Sequence, residues 1–165
     1  MRIKYLVPVF FALGLIAPEA KADHHGQLAY VLPVEVTVIG LTSGIRPEIV
    51  YTPFENLKWF ETKASVGLMP GAEFLSTPVS LGVRGRYFDF VLHPTAGLAL
   101  TEDLLWITDA APVVRTTMEM DLGLSYDVND RWAIDAQAYT GWGIVGEAGP
   151  VAGMRLGLRF RPQGW

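Results

Sequence analysis

The chain has 165 residues, half of them hydrophobic, with 13 basic and 17 acidic side chains and no cysteine. The missing cysteine excludes a disulfide framework, a thiolate metal site and an acylated amino-terminal cysteine. The acidic balance leaves no basic surplus to neutralise phosphates, so nucleic acid is not an expected partner.

At the amino terminus, Arg2 and Lys4 precede an uncharged stretch from Tyr5 to Ile16, followed by Pro18, Glu19 and Ala20-Lys21-Ala22. Basic, then apolar, then small-x-small is the order of a signal peptide, and the apolar stretch is shorter than the ~20 residues a spanning helix needs. Cleavage after Ala22 is expected. It leaves residues 23–165 as a single domain with ten basic and sixteen acidic side chains, a charge of −6. The new terminus, Asp23-His24-His25, has the amine, amide nitrogens and imidazole that wrap Cu(II) or Ni(II) in a plane. A polar terminal tail is the favoured reading of the same residues.

Mean hydropathy is +0.27, high for an exported soluble domain. Beyond the leader no apolar run reaches the ~18 residues of a membrane helix, so the apolar side chains must be spread over strands. A period of two, the mark of a strand with different surroundings on its two sides, predicts eight of them. They are Leu28 to Val38, Ile45 to Thr52, Lys58 to Leu68, Thr77 to Tyr87, Phe90 to Thr101, Val113 to Tyr126, Arg131 to Thr140, and Val151 to Arg161. The sixth is the clearest, with Met118, Met120, Leu122 and Leu124 set against Glu119, Asp121, Gly123 and Ser125. Most reach the ~9 to 11 residues with which a tilted strand crosses a bilayer. Pro33 and Pro94 fall inside strands, where each removes a ladder donor; they are the local features at odds with a regular closed barrel.

The connections Pro53 to Leu57, Phe88-Asp89 and Asp127 to Asp130 look like short turns, whereas Met69 to Ser76, Glu102 to Pro112 and Gly141 to Pro150 look like longer loops. Alternation of this kind predicts an antiparallel transmembrane barrel with short periplasmic turns, longer extracellular loops and both termini on the periplasmic side. Aromatic residues fit the same picture. Tyr51, Phe54, Trp59, Phe60, Tyr87, Phe88, Phe90, Tyr126, Trp132 and Phe160 all neighbour short turns or the carboxyl terminus, while Trp106 and Trp142 lie near the opposite rim. Amphipathic rings at one height form a headgroup-level girdle.

On this pattern the chain resembles the small eight-stranded outer-membrane barrels represented by the membrane domain of outer-membrane protein A. The likeness covers nearly all of residues 23–165. It implies an all-β, eight-stranded antiparallel transmembrane barrel in contact with outer-membrane lipid and lipopolysaccharide. It also implies a carboxyl-terminal aromatic read by the barrel assembly machinery, either Phe160 at the end of Gly157-Leu158-Arg159-Phe160 or the terminal Trp165.

If the apolar faces meet lipid, the inward set is Glu35, Arg46, Glu48, Glu61, Lys63, Arg84, Arg86, His93, Arg115, Glu119, Asp121, Asp135, Arg155 and Arg159. Setting His93 aside, that is seven basic and six acidic groups. An eight-stranded interior is only wide enough for side chains to fill, so these charges are expected to pair, giving a plugged lumen. A narrow gated conductance is an alternative use of the same arginines.

The longer loops carry Glu73, Glu102, Asp103, Asp109 and Glu147 without a basic residue. Oxygen ligands suit divalent cations, but a solvated loop surface is the favoured reading. Phe74, Leu75, Leu104, Leu105, Trp106 and Ile107 are expected to fold onto the rim or meet a partner. His93-Pro94-Thr95 loosely resembles the His-x-Ser of the lipid A deacylases, with Thr95 in the nucleophile's place, but the register turns that face inward. No nucleotide loop, zinc-ligand pair or complete triad appears in the sequence, so no enzyme and no cofactor is expected. A soluble periplasmic barrel with an apolar ligand inside would require the opposite facing, apolar inward and charged outward.

Overall fold

The computed structural model describes residues 27–38, 42–53, 57, 59–87, 91–146 and 149–162; the leader, Asp23-His24-His25, Phe54, Phe88, Phe90, Glu147 and Trp165 lie outside them. Ten segments make up one antiparallel sheet: β1 (Gln27–Thr37), β2 (Thr42–Ile45), β3 (Glu48–Thr52), β4 (Phe60–Val66), β5 (Met69–Pro70), β6 (Phe74–Arg86), β7 (Leu92–Ile107), β8 (Val113–Asp127), β9 (Trp132–Val145) and β10 (Pro150–Phe160). β10 pairs back onto β1, from Tyr30 opposite Phe160 to Thr37 opposite Gly153, so the sheet is closed.

The ten segments are eight staves. β2 and β3 share one register against β1, with Ile45 opposite Val34 and Glu48 opposite Val31. β4 and β5 share one register against β6. Prolines explain both interruptions. Arg46-Pro47, between β2 and β3, follows on where Arg46 donates to the carbonyl of Pro33 at 3.4 Å, and Pro33 has no N–H to return. Gly67, between β4 and β5, donates to the carbonyl of Pro78 at 2.7 Å, with the same missing return bond. Pro94 acts likewise at the edge of β6: Tyr87 donates to its carbonyl at 2.9 Å and β6 ends at Arg86. The prolines therefore cut ladders without shifting register, and the barrel closes around them.

Paired residues traced around the sheet run from Leu28 through Tyr51, Thr62, Val83, Leu98, Met120 and Thr140 to Ala152, whose carbonyl accepts from Val38, ten residues further along β1. Eight staves with that displacement tilt by about 40° to the barrel axis.

Several strands run further than their sequence pattern suggests. β7 continues to Ile107, β9 to Val145, and β6 begins at Phe74. The connections 71–73 and 108–112 are consequently shorter than the loops Met69 to Ser76 and Glu102 to Pro112 read from the sequence. The physical reason is that Phe74, Leu75, Leu104, Leu105, Trp106 and Ile107 extend the barrel wall, where ladder pairing of Phe74 with Ile107 and Leu105 with Val113 satisfies their backbone.

Facing is inside-out relative to a soluble barrel. Leu32, Leu122 and Met154 are 60%, 65% and 63% exposed, while Glu61, Arg84 and Asp121 are at most 1% exposed. Apolar side chains face outward over the whole circumference, and Glu102 is the one charged residue on the outward face of the described strands. A continuous apolar exterior of this size is what lipid covers, and it contradicts the reading as a soluble barrel with an apolar interior.

Candidate functional site

The inward positions of the eight staves converge on a charged lumen. Among the described residues it holds eight acidic side chains, Glu35, Glu48, Glu61, Asp103, Glu119, Asp121, Asp127 and Asp135. Eight basic ones face them: Arg46, Lys63, Arg84, Arg86, Arg115, Arg155, Arg159 and Arg161. All thirteen charged positions assigned to the interior from sequence lie there, together with His93.

Strand register stacks these groups in tiers. Near the end away from the chain termini, Arg46 and Arg155 alternate with Glu35 and Glu119 in a four-membered ring. Arg155 contacts Glu35 at 2.9 Å and Glu119 at 2.7 Å, and Arg46 contacts the same two at 3.5 and 3.4 Å. Tyr139 lies on the mouth side of this ring of charges, its phenol 3.0 Å from the Thr37 hydroxyl and its ring centroid 4.1 Å from the Arg155 guanidinium. In the middle, Lys63 donates to Asp121. Below it Arg159 bridges Glu61 at 2.6 Å and Asp135 at 2.8 Å, and Arg84 binds Glu61 at 2.8 Å with Glu48 at 3.5 Å. Ser125 donates to Asp135 at 2.5 Å. Such pairing is what desolvated charges require, since an unpaired buried ion costs several kcal/mol.

At the end bearing the termini, Arg86 and Arg161 both reach Asp127 at 2.7 Å, and His93 stands 3.2 Å from the other carboxylate oxygen. Arg161 follows the last strand; burial, against the hydrogen bond to Asp127 and together with the neighbouring Arg86, draws its pKa down to about 10. Asp127 is therefore the carboxylate beside His93 that the sequence did not assign. Thr95 is buried two residues along the same inner face, its hydroxyl without a hydrogen bond.

Asp103, expected on an outer loop, is inside: it accepts from Ser76 at 2.7 Å and from Arg115 at 3.0 Å. Glu102 is on the outward strand face and Glu73 and Asp109 are in turns. Among the described residues no three carboxylate or imidazole groups come together as a cation site. Asp103, Asp127 and Arg161 keep the inward parity of their strands, and for Asp127, the last residue of β8, and Arg161, which follows β10, that period of two was the signal that could have found them.

The outward aromatics gather at the end bearing the termini. Tyr126 pairs with Leu92 and Ile134, Trp132 with Phe160, and Phe160 with Tyr30, a further member. Trp132 and Phe160 have centroids 4.7 Å apart, and Trp59 meets Phe60 edge-on at 6.0 Å. Tyr51 lies one stave from Phe60, opposite Thr62, and Tyr87 follows β6 at the same end. Trp106 and Trp142 are exposed toward the opposite rim.

Comparison with known proteins identifies the fold. The structure is similar to neisserial surface protein A, NspA, with a TM-score of 0.55 and 13% identity over 82% of this chain and 95% of that one. It is similar to the N-terminal β-barrel domain of Pseudomonas aeruginosa OprF, with a TM-score of 0.60 and 18% identity over 83% of this chain and 98% of that one. No family model and no curated protein sequence matches the chain. The architecture is thus an eight-stranded antiparallel barrel of the outer-membrane type.

Proposed function

We propose that this chain is an integral protein of the Gram-negative outer membrane whose lumen is plugged by its own side chains, and whose role is structural or surface-interacting without catalysis. The observation that carries this reading is the balance of eight acidic and eight basic lumen groups held in ion pairs inside an apolar exterior. An interior of this width leaves no column of free charge for a permeant ion. The aromatic ring near the termini supplies anchors at the headgroup layer, and in this reading the even number of strands puts both termini at the periplasmic face. Lipopolysaccharide and outer-membrane lipid are the partners of the outward surface. The barrel assembly machinery reads the closing strand β10, whose Phe160 packs on Trp132. Catalysis by His93 and Thr95 is disfavoured because both face the lumen, where a lipid acyl chain cannot reach them.

The test is to express the chain with its own leader, isolate outer membranes and compare boiled with unboiled samples on a denaturing gel, then measure conductance of the purified protein in planar bilayers. A heat-dependent mobility shift in the outer-membrane fraction with no conductance steps is expected. Recovery in the soluble periplasm would overturn the location, and regular conductance steps would replace the plugged lumen with a channel.

A further inference from the structure

We infer that the barrel mouth away from the chain termini is a binding site for a small organic ammonium compound with a compact apolar body. A cavity of about 270 Å³ opens there above the Arg46-Glu35-Arg155-Glu119 ring. It approaches the lower limit of small-molecule pockets, about 300 Å³, and at protein packing density admits roughly ten non-hydrogen atoms.

The lining is built in two parts. Met69, Phe74, Leu105, Ile107 and Val151 form an apolar collar, and Met69, Leu105 and Val151 are buried on an inner wall that is otherwise mostly polar. Beneath the collar lies the hydroxyl of Thr117, 2% exposed and without a hydrogen-bond partner. A hydroxyl left unpaired on the wall of an open cavity has lone pairs free to accept from a ligand donor.

Charge sets the class of ligand. The lining carries the carboxylates of Glu35, Glu73, Asp103 and Glu119 against the guanidiniums of Arg46 and Arg115. Arg155, beneath, adds one more positive charge, so one negative charge is left over. Arg46 is engaged by Glu35, Glu119, Thr101 and Ser65, and Arg115 by Asp103 through one terminal nitrogen, its Nε having no acceptor. An anion would find one free donor, the Nε of Arg115 beside Asp103, and a surplus carboxylate against it. A monocation would find that surplus, an acceptor at Thr117 and an apolar wall for its body.

The experiment uses the protein in lipid nanodiscs with methionine methyl groups labelled with carbon-13. Met69 faces the cavity, whereas Met118, Met120 and Met154 are 55%, 55% and 63% exposed on the outer wall, so they report nonspecific partition into lipid. Benzylammonium is titrated against benzoate. The expected result is a saturable shift of the Met69 resonance alone, with benzoate at least tenfold weaker. Thr117→Val should weaken benzylammonium about tenfold, the size of a lost hydrogen bond to a charged group, and Leu105→Trp should abolish binding by filling the space. Thr117→Val is nearly isosteric, so it keeps the test decisive should Leu105→Trp fail to fold. No saturable shift of Met69, equal shifts at all methionines, or equal affinity for benzoate would overturn the site.

Discussion

Arg159→Met examines the lumen at a fully buried cation shared by two carboxylates. Arg159 is 1% exposed and makes four close contacts: its guanidinium holds Glu61 at 2.6 and 3.3 Å and Asp135 at 2.8 and 2.9 Å. Methionine keeps most of the volume and removes the charge. Glu61 retains Arg84 at 2.8 Å, but Asp135 is left with the Ser125 hydroxyl and with Arg84 at 3.9 Å. Removing one partner of a buried pair costs about 3–5 kcal/mol, because the remaining charge stays desolvated. With two carboxylates bereft and one still paired, the middle of that range applies. The paired variant Arg159→Met with Asp135→Leu removes the stranded carboxylate as well, and should recover about 1–3 kcal/mol of the loss. Urea unfolding in lipid vesicles, followed by tryptophan fluorescence, measures both. A loss below about 1 kcal/mol for Arg159→Met would refute the reasoning, since only solvent-screened pairs are worth so little.

Arg115→Met tests the contrast within the same lumen: its side chain is 25% exposed at the mouth and meets one carboxylate, Asp103. It should cost about 1 kcal/mol or less in the same unfolding assay. Leu122→Arg places a charge midway along the apolar exterior and should destabilise the protein in vesicles by about 2–4 kcal/mol. Glu102→Leu, nearer the rim on that face, should instead change stability by no more than about 1 kcal/mol, in the stabilising direction. Gly153→Ala should cost about 1–3 kcal/mol, because its methyl group would arrive 2.5 Å from the Tyr139 hydroxyl and 2.6 Å from the Val36 carbonyl; calorimetry of the reconstituted protein checks it.

Legibility of the fold followed contrast between the two faces of each strand. β8 alternates methionine and leucine with acidic or small residues, and both its extent and its facing can be read directly. β7 loses that contrast above Thr101: Glu102 points outward and Leu105 inward, opposite to the pattern below them. The alternation therefore stops although the strand continues, and Asp103 was assigned to a loop. The breaks at Arg46-Pro47 and Gly67 were not legible because their causes, Pro33 and Pro78, act from neighbouring strands across the ladder.

Within the lumen, membership was readable from parity but partnership was not. Glu61 and Arg159 are 98 residues apart, and only the closed register brings them together. The same holds for Arg155 and Glu35, separated by 120 residues. The cavity beneath the mouth had no sequence signal, since Met69, Leu105 and Val151 are inward residues of an apolar kind that the pattern assigns to the outside.

The central claim, apolar residues toward lipid and charged residues toward a closed interior, is tested most directly by a nitroxide scan along β8. The sequence has no cysteine, so single cysteines at positions 117 to 124 can be spin-labelled without background in vesicle-reconstituted protein. Collision with oxygen and with a water-soluble nickel chelate is then measured. The account predicts high oxygen and low nickel accessibility at Met118, Met120, Leu122 and Leu124, and immobilised labels shielded from both reagents at the intervening positions. Nickel accessibility equal to that of oxygen at the four outward positions, or free nickel access along the inward ones, would contradict it.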